Sequence, residues 1–355
     1  MDELFQASTA DLRDFIARVL EKVGLSPEDA GRVAALMAEA DDRGADAHGV
    51  FRLPQYVRRI ESGGINVRPN IRVVREHAAT AVVDGDNAMG HLVMSRAAEL
   101  AVEKARHAGV AWVGARNSNH AGPALLYARM PLAEDMIGLY LAVGSANHLP
   151  PWGGAEMLLS TNPIAIAVPG FRHAAIVLDM ATTTAAYGKI KFKAQRNEPM
   201  PEGWMIDRAG NPLTDSSRVS EGFLIPIGGP KGYGLALMFG LLAGTLNGAA
   251  FGRDVIDFNK DFSSPTNTGH AIVAVHIGAF ADVQTFKESV DVIWDAMKSA
   301  PKLPGVEEIR LPGERSARIY EERCAKGVPM PPELRDALDN LAARLNVDPL
   351  PCAAV

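Results

Sequence analysis

Apolar residues recur with a helical period near both ends of the chain and gather into short strand-like runs between them. From Ser8 to Val23 the positions Leu12, Phe15, Ile16, Val19 and Leu20 lie three or four apart, and Gly24 stops the run. That spacing predicts an amphipathic helix. A second helix is expected behind Ser26-Pro27-Glu28-Asp29, where a hydroxyl cap, a proline and first-turn acids precede Val33, Leu36 and Met37. Ser62-Gly63-Gly64 and Pro69-Asn70 mark a loop, and extended runs follow at residues 71–74 and 80–83, the second closed by Asp84-Gly85-Asp86. Residues 94–107 read as a helix with Ala97, Leu100, Ala101 and Ala105 inward and Gly109 as its stop. Strands are expected at residues 110–115, 137–143, 164–168, 175–178 and 271–277, and helices at 235–246, 286–297, 314–323 and 332–345. Strands interleaved with helices point to an α/β or α+β sheet protein. No internal repeat or low-complexity linker divides the chain.

Composition removes several classes of function. A chain of 355 residues can bury a sizeable core, and a net charge of -6 supplies no broad basic surface for nucleic acid. Only Cys324 and Cys352 are present, so neither a disulfide framework nor a zinc-type cysteine cluster is expected. His91, His148 and the other histidines lack metal-ligand spacing, and no metal is expected. Met1-Asp2-Glu3 is acidic where a signal peptide is basic, which favours a cytoplasmic location. The stretch 232–252 carries no charge and approaches the length of a bilayer span, but six glycines with Thr245 and Asn247 mark it as a buried core helix instead.

The densest chemistry lies between Asp41 and Tyr56. His48 and Arg52 are four residues apart, so a helical turn after Gly49 would set them on one face. A guanidinium grips a carboxylate bidentately while a neighbouring imidazole exchanges a proton, which suits a 2-oxo or 2-hydroxy acid. An exposed, salt-bridged helix end is the bland alternative. A second candidate is Asn117-Ser118-Asn119-His120, brought to the end of a strand, where ligand-contacting loops gather. Neither G-x-G-x-x-G nor G-x-x-x-x-G-K-[ST] follows any strand, so a conventional Rossmann half is not supported. In its place stands Gly228-Gly229-Pro230-Lys231-Gly232-Tyr233-Gly234 ahead of an apolar helix, a turn whose amides and lysine could hold a pyrophosphate.

Arg43-Gly44, His48-Gly49-Val50, Arg52-Leu53-Pro54 and Tyr56 are followed in order by His120 with Gly122, Pro151-Trp152-Gly153-Gly154, Thr161-Asn162-Pro163 and Leu178-Asp179-Met180-Ala181-Thr182. Gly188-Lys189, Pro201-Glu202-Gly203-Trp204, Lys231-Gly232-Tyr233-Gly234 and Leu311-Pro312-Gly313-Glu314 complete the series. The whole set resembles the malate/L-lactate dehydrogenase family of NAD(P)-dependent oxidoreductases, which includes sulfolactate, ureidoglycolate and diketogulonate enzymes and piperideine-carboxylate reductase. The resemblance implies one family domain over 1–355 with a non-Rossmann α/β fold, a mixed sheet and N- and C-terminal helices. Within it, 1–75 and 316–355 would form a helical lobe, 76–120 the sheet and dimer region, and 121–315 the cofactor-binding region.

It further implies a cytoplasmic homodimer that uses NAD or NADP and passes hydride to or from a small 2-oxo or 2-hydroxy carboxylic acid. His48 would be the proton donor, Arg52 with Thr161 would hold the substrate, and His120 would be an alternative base that also meets the cofactor. Asp179 would orient His48 and, with Ser145, Met180, Ala181, Thr182, Lys231, Gly313, Glu314 and Arg315, form the cofactor site. Reduction of a cyclic imino acid of the piperideine or pyrroline-2-carboxylate type is the second reading, and a non-catalytic NAD(P)-binding protein the third. Departures from the family pattern are Ala47 in place of a serine, Ala121-Gly122-Pro123 after His120, Gly144 in place of Asn and Pro230 in place of Tyr.

Overall fold

The structure is a computed structural model that describes residues 5–195 and 197–354. After a short strand β1 (Phe5–Ala7) come α1 (Thr9–Lys22) and α2 (Pro27–Asp42). Each starts as its sequence dictates: Ser8 accepts from the Asp11 N–H at 3.1 Å and Ser26 from the Asp29 N–H at 3.1 Å. Two 3-10 turns lead into α3 (Leu53–Glu61). Then follow β2 (Arg72–Glu76), β3 (Thr80–Asp84), α4 (Gly90–Ala108), β4 (Val110–Ser118), α5 (Leu125–Arg129), β5 (Met136–Ala142), β6 (Ile164–Val168) and β7 (Ile176–Met180). A less regular region holds α6 (Tyr187–Gln195), the hairpin of β8 (Met205–Ile206) and β9 (Phe223–Leu224), and α7 (Pro230–Ala243). The chain closes with β10 (Thr268–His276), α8 (Val283–Ser299), α9 (Glu314–Lys326), β11 (Val328–Met330), α10 (Pro332–Leu345) and β12 (Ala353–Ala354).

Seven strands form the central sheet in the order β2-β3-β4-β10-β5-β6-β7. Only β3 and β4 run parallel, joined by the crossover helix α4; the other pairs are antiparallel. The doubly wound sheet that a G-x-G-x-x-G turn serves is therefore absent here, in agreement with the missing motif. Ala97, Ala101 and Ala105 of α4 bury against Val113, Ala115, Ile272 and Ala274 of the sheet. Gly109 at φ 78° ends this helix and turns the chain into β4. Beyond α4, against which α2 packs, α1, α2, α3 and α10 share a second core of Phe15, Ile16, Met37, Tyr56, Leu338 and Leu341.

Several boundaries differ from the periodicity. The helix expected from residue 94 starts at Gly90, because Gly90 packs on the carbonyls of Asn119 and His120 where a side chain would not fit. Strand β4 runs on to Ser118, held by Thr268, and β7 runs to Met180, held by Ile164, so Asp179 sits inside a strand and not beyond it. The three-stranded sheet β11-β1-β12 was not foreseen, since strands this short carry no period. The uncharged stretch also needs correction as a core helix. Helix α7 buries only its small residues Gly232, Ala236, Gly240 and Ala243, and leaves Leu235, Met238 and Leu242 exposed. Among the described residues no helix is long and apolar enough to cross a membrane.

The link from α2 to α3 is held from inside. The Asp41 carboxylate is buried and accepts the Val50 N–H at 2.7 Å, while Asp42 accepts from the Thr9 hydroxyl at 2.8 Å. Helix α9 clamps the same link from outside: Arg323 binds the Asp41 carbonyl and the Asp46 carboxylate, and the Ser316 hydroxyl donates to the Arg43 carbonyl at 2.9 Å. A side chain at Gly49 would collide with the Asp41 carboxylate. Gly49→Ala should therefore lower stability by about 1–3 kcal/mol and disorder the His48 loop, as read from the urea midpoint and from amide exchange at residues 46–52. An unchanged midpoint would show that the carboxylate moves aside freely.

Candidate active site

The expected single helical turn through His48 and Arg52 does not form. Asp46–His48 and Val50–Arg52 are separate 3-10 turns broken at Gly49, whose ψ is -137°. The two side chains meet because Arg52 folds back, its Nε donating to the Ala47 carbonyl at 2.8 Å. One Nη of Arg52 donates to Gln55 Oε1 at 2.6 Å, and Gln55 in turn donates to the Phe258 carbonyl at 3.0 Å. Among the described residues no carboxylate pairs with Arg52, and its second Nη keeps both donors free. Gln55 and Phe258 escaped the sequence reading, although Gln55 lies one helical turn beyond Arg52.

The structure stacks His48 on His120 with ring centroids 5.4 Å apart and planes 11° from parallel. Phe258 covers the His120 ring at 5.1 Å, so the two sequence motifs meet across an aromatic wall. Nδ1 of His120 lies 2.6 Å from the Tyr56 hydroxyl and 3.4 Å from the Gly122 N–H. An amide can only donate, so Nδ1 is the unprotonated nitrogen, Tyr56 donates to it, and Nε2 carries the proton. His48 Nδ1 is buried with no hydrogen-bond partner, and Ala47 brings no hydroxyl to it. Burial, then the Arg52 charge, lowers His48 to about 4, and burial also holds His120 well below its usual range. Both rings are neutral near pH 7. A second buried pair lies behind them: the His270 Nε2–H donates to the Asn119 carbonyl at 3.3 Å, and the Tyr140 hydroxyl lies 2.7 Å from His270 Nδ1.

Among the described residues no hydrogen bond joins Asp179 to His48. Its carboxylate accepts the Leu125 N–H at 3.0 Å, and although one side stays open, the crowding around it raises the carboxyl to about 6. The strand leaving it reaches Thr182, whose N–H and hydroxyl both bind the Thr161 carbonyl, at 2.9 and 2.8 Å. The Thr182 carbonyl accepts from Ile227 at 3.0 Å, which lays Met180, Ala181 and Thr182 beside the Gly228-Gly229 turn. Ser145 joins the wall by accepting the Phe258 N–H at 2.9 Å. Gly313, just ahead of Glu314 and Arg315, packs on Val177 of β7, the strand that also carries Asp179 and Met180. The Glu314 carboxylate is held by Lys298 at 2.7 Å, by Arg318 and by the Leu311 N–H at 3.0 Å.

The Gly-rich turn has the chemistry of a phosphate cradle. Gly228 and Gly229 take φ of 58° and 63°, and Gly229 caps the 14-residue α7 without a side chain; Pro230 brings no N–H, and the Lys231 and Tyr233 N–H groups donate to the Gly228 and Gly229 carbonyls at 3.4 and 3.1 Å. Lys231 is exposed there with no ion pair among the described residues. No group of three or more histidine, cysteine or acidic side chains among the described residues could hold a metal.

Burial holds five imidazoles, those of His48, His91, His120, His148 and His270, below the ordinary 6.5, with His91 near 3 and His270 near 4. The unfolded chain binds more protons than the folded one between those values, so stability is full above pH 6.5 and is lost as pH falls toward 4. Asp41 and Asp179, raised by burial, oppose this over the lower part of the window but are outnumbered. The urea midpoint should drop over that range, and a flat profile would contradict neutral buried histidines.

Three comparisons show what the chain is similar to. A family model described as malate/L-lactate dehydrogenase matches residues 7–339. The chain is 39% identical over 347 residues to the malate dehydrogenase of Pyrococcus horikoshii, covering 96% of this chain and 95% of that one. It is 39% identical over 314 residues to the L-sulfolactate dehydrogenase of Methanocaldococcus jannaschii, covering 88% and 89%. The solved Pyrococcus horikoshii structure superposes with a TM-score of 0.90 at 36% identity over 99% of this chain and 98% of that one. With a mixed non-Rossmann sheet, a histidine pair and a free guanidinium at one cleft, the chain belongs to the malate/L-lactate dehydrogenase family, and it is an NAD(P)-dependent oxidoreductase of the hydroxy acid dehydrogenase and reductase type.

Proposed function

We propose that the protein interconverts a small 2-oxo acid and its 2-hydroxy acid, with Arg52 as carboxylate anchor and His48 as the group that gives and takes the proton. The observation that carries this reading is Arg52, fixed by Ala47 and Gln55 beside the stacked His48 and His120, with donors to spare. A carboxylate on that fork places C2 and its oxygen next to the imidazoles. When bound, the nicotinamide supplies or accepts the hydride at C2. Lys231 and the first turn of α7 would hold its pyrophosphate, with Thr182, Met180, Ala181 and Ser145 lining the adjoining wall. Reduction consumes one proton, which His48 delivers to the carbonyl oxygen as it becomes hydroxyl. The substrate carboxylate offsets the Arg52 charge that depresses His48, so binding makes the imidazole easier to protonate.

A second assignment of the proton has its own support. His120 presents its Nε2–H with the tautomer fixed by Tyr56, whereas His48 Nδ1 has no such partner. His48→Asn should lower kcat by about a hundred- to ten-thousand-fold with reduced nicotinamide still bound, and Tyr56→Phe should cost less. Near-normal turnover in His48→Asn together with a collapse in His120→Asn would move the role to His120. The panel for this test pairs NADH and NADPH with 2-oxo acids and one cyclic imino acid. Reduction of the imine alone would make the protein an imino acid reductase, and cofactor binding with no turnover would leave only a binding protein.

We further infer a homodimer working in the cytoplasm. The apolar side of α7, with Leu235, Met238, Leu242 and Leu246 exposed at 40%, 49%, 38% and 63%, continues from the cofactor turn and suits a second copy of the chain. Met238→Glu should halve the mass measured by light scattering. A wild type that is already monomeric would end this reading.

A further inference from the structure

Arg52, Gln55, Tyr56 and Arg59 stand three or four residues apart at the start of α3 and so share one side of the helix. Gln55 holds Arg52 and Tyr56 meets His120, whereas no hydrogen bond of Arg59 reaches either of them or His48. Arg59 is wholly buried, and among the described residues no carboxylate pairs with it. A buried guanidinium without an acid is costly unless it is hydrogen-bonded. Arg59 finds four oxygens. It donates to the Asp261 carbonyl, to the Ser264 carbonyl at 2.8 Å, to the Gly64 carbonyl at 3.2 Å and to Asn119 Oδ1 at 3.4 Å.

Those oxygens belong to the segments that surround His120. Asn119 comes just before it and is itself wholly buried; its side-chain amide donates to the Asn87 and Ala88 carbonyls at 3.1 and 2.9 Å, and the Thr266 hydroxyl is a second donor to its Oδ1 at 3.1 Å. Asp261 and Ser264 lie on the stretch that follows Phe258, whose ring stacks on His120 and meets Tyr56 edge-on at 5.9 Å. The Arg59 guanidinium sits 5.2 Å from that same Phe258 ring. The Asp261 carboxylate accepts the Ser263 and Ser264 N–H groups at 3.0 and 2.9 Å, so its carbonyl is what Arg59 holds. An aliphatic side chain could fill this volume, but only a planar fork of donors can order oxygens from three separate segments.

We propose that Arg59 is a positioning residue for the reaction: by holding Asn119 and the 258–264 stretch together, it fixes the His120 ring against His48 and Phe258 with Nδ1 on the Tyr56 hydroxyl. The consequence for turnover rests on the reading of the cleft as a 2-oxo acid site, and the effect on the imidazole does not. A ring displaced by a fraction of its own width loses both the tautomer that Tyr56 selects and the stack that places it beside His48.

The test reads the His120 tautomer by NMR on protein with nitrogen-labelled histidine, the signal being assigned by its loss in His120→Asn. Wild-type protein near pH 7 should show Nδ1 bare and Nε2 protonated. Arg59→Met should give a mixture of the two tautomers and lower kcat about a hundredfold, with KM for the acid and the dissociation constant of NADH within about threefold. Arg59→Lys keeps the charge and loses the fork; it should recover part of both effects, and it serves in place of Arg59→Met should that variant not fold. Leu12→Ala, cut into the fully buried core under α1, is the control: it should lower the urea midpoint yet keep the wild-type tautomer and kcat. A single tautomer in the Arg59 variants, or a kcat loss no larger than that of Leu12→Ala, would overturn the proposal while the 2-oxo acid reading stands. A mixed tautomer in Arg59→Met, with no 2-oxo acid reduced by wild-type protein, would keep Arg59 as the anchor of His120 and overturn that reading instead.

Discussion

Everything at the site depends on a buried carboxylate that is spent on backbone. Asp41 ends α2 inside the protein, and its acceptance of the Val50 N–H draws the chain through two tight turns with no room for a side chain at Gly49. Burial raises its carboxyl, which the Val50 N–H and the Arg323 charge partly offset, so the group is costly to bury and has to be held by its neighbours. Arg323, Ser316 and Ile319 of α9 hold the outside of the same loop. Residues some 270 positions apart in sequence thus fix one loop, and His48, Arg52 and Tyr56 inherit their places from it.

The histidines that result are kept neutral by exclusion of water, not by paired acids. His48 and His120 stack, Phe258 shields one face, and the Tyr56 hydroxyl settles which nitrogen of His120 carries a proton. Among the described residues no carboxylate is hydrogen-bonded to either ring, which sets this site apart from triads where an acid orients the imidazole. On the proposed reading charge would enter with the substrate: a neutral imidazole beside a free guanidinium is hard to protonate until an anion arrives, so binding and proton delivery would be coupled through one electrostatic balance.

The departures noted in the sequence acquire a physical meaning in this setting. Ala47 leaves His48 Nδ1 buried and unpaired, and in return a small side chain at 47 lets α6 approach at Gly188. Gly144 is packed so closely on Ser160 that no side chain would fit, which ties the wall near Ser145 and Thr161 to the sheet. Gly122, at φ 78° against His91, lets the loop after His120 turn back and direct its N–H to Nδ1.

The sequence alone determined the class of fold, the two capped N-terminal helices, most of the strands and the chemistry of the Asp41–Tyr56 stretch. These are local matters: period, cap residues and turn formers act within a few positions. The ordered motifs pointed to the family because they run the length of the chain. What only the tertiary structure decided is which of these groups meet. The pairing of β7 with β6 placed the Asp179 carboxylate on the Leu125 N–H, and β10, more than a hundred residues downstream, lengthened β4 to Ser118. The burial of α7 through its glycines and alanines reversed its apolar side toward solvent, because helix packing rewards close approach as much as side-chain size. Gln55, Phe258 and His270 carry no motif, and joined this wall only when strands and loops distant in sequence folded against it.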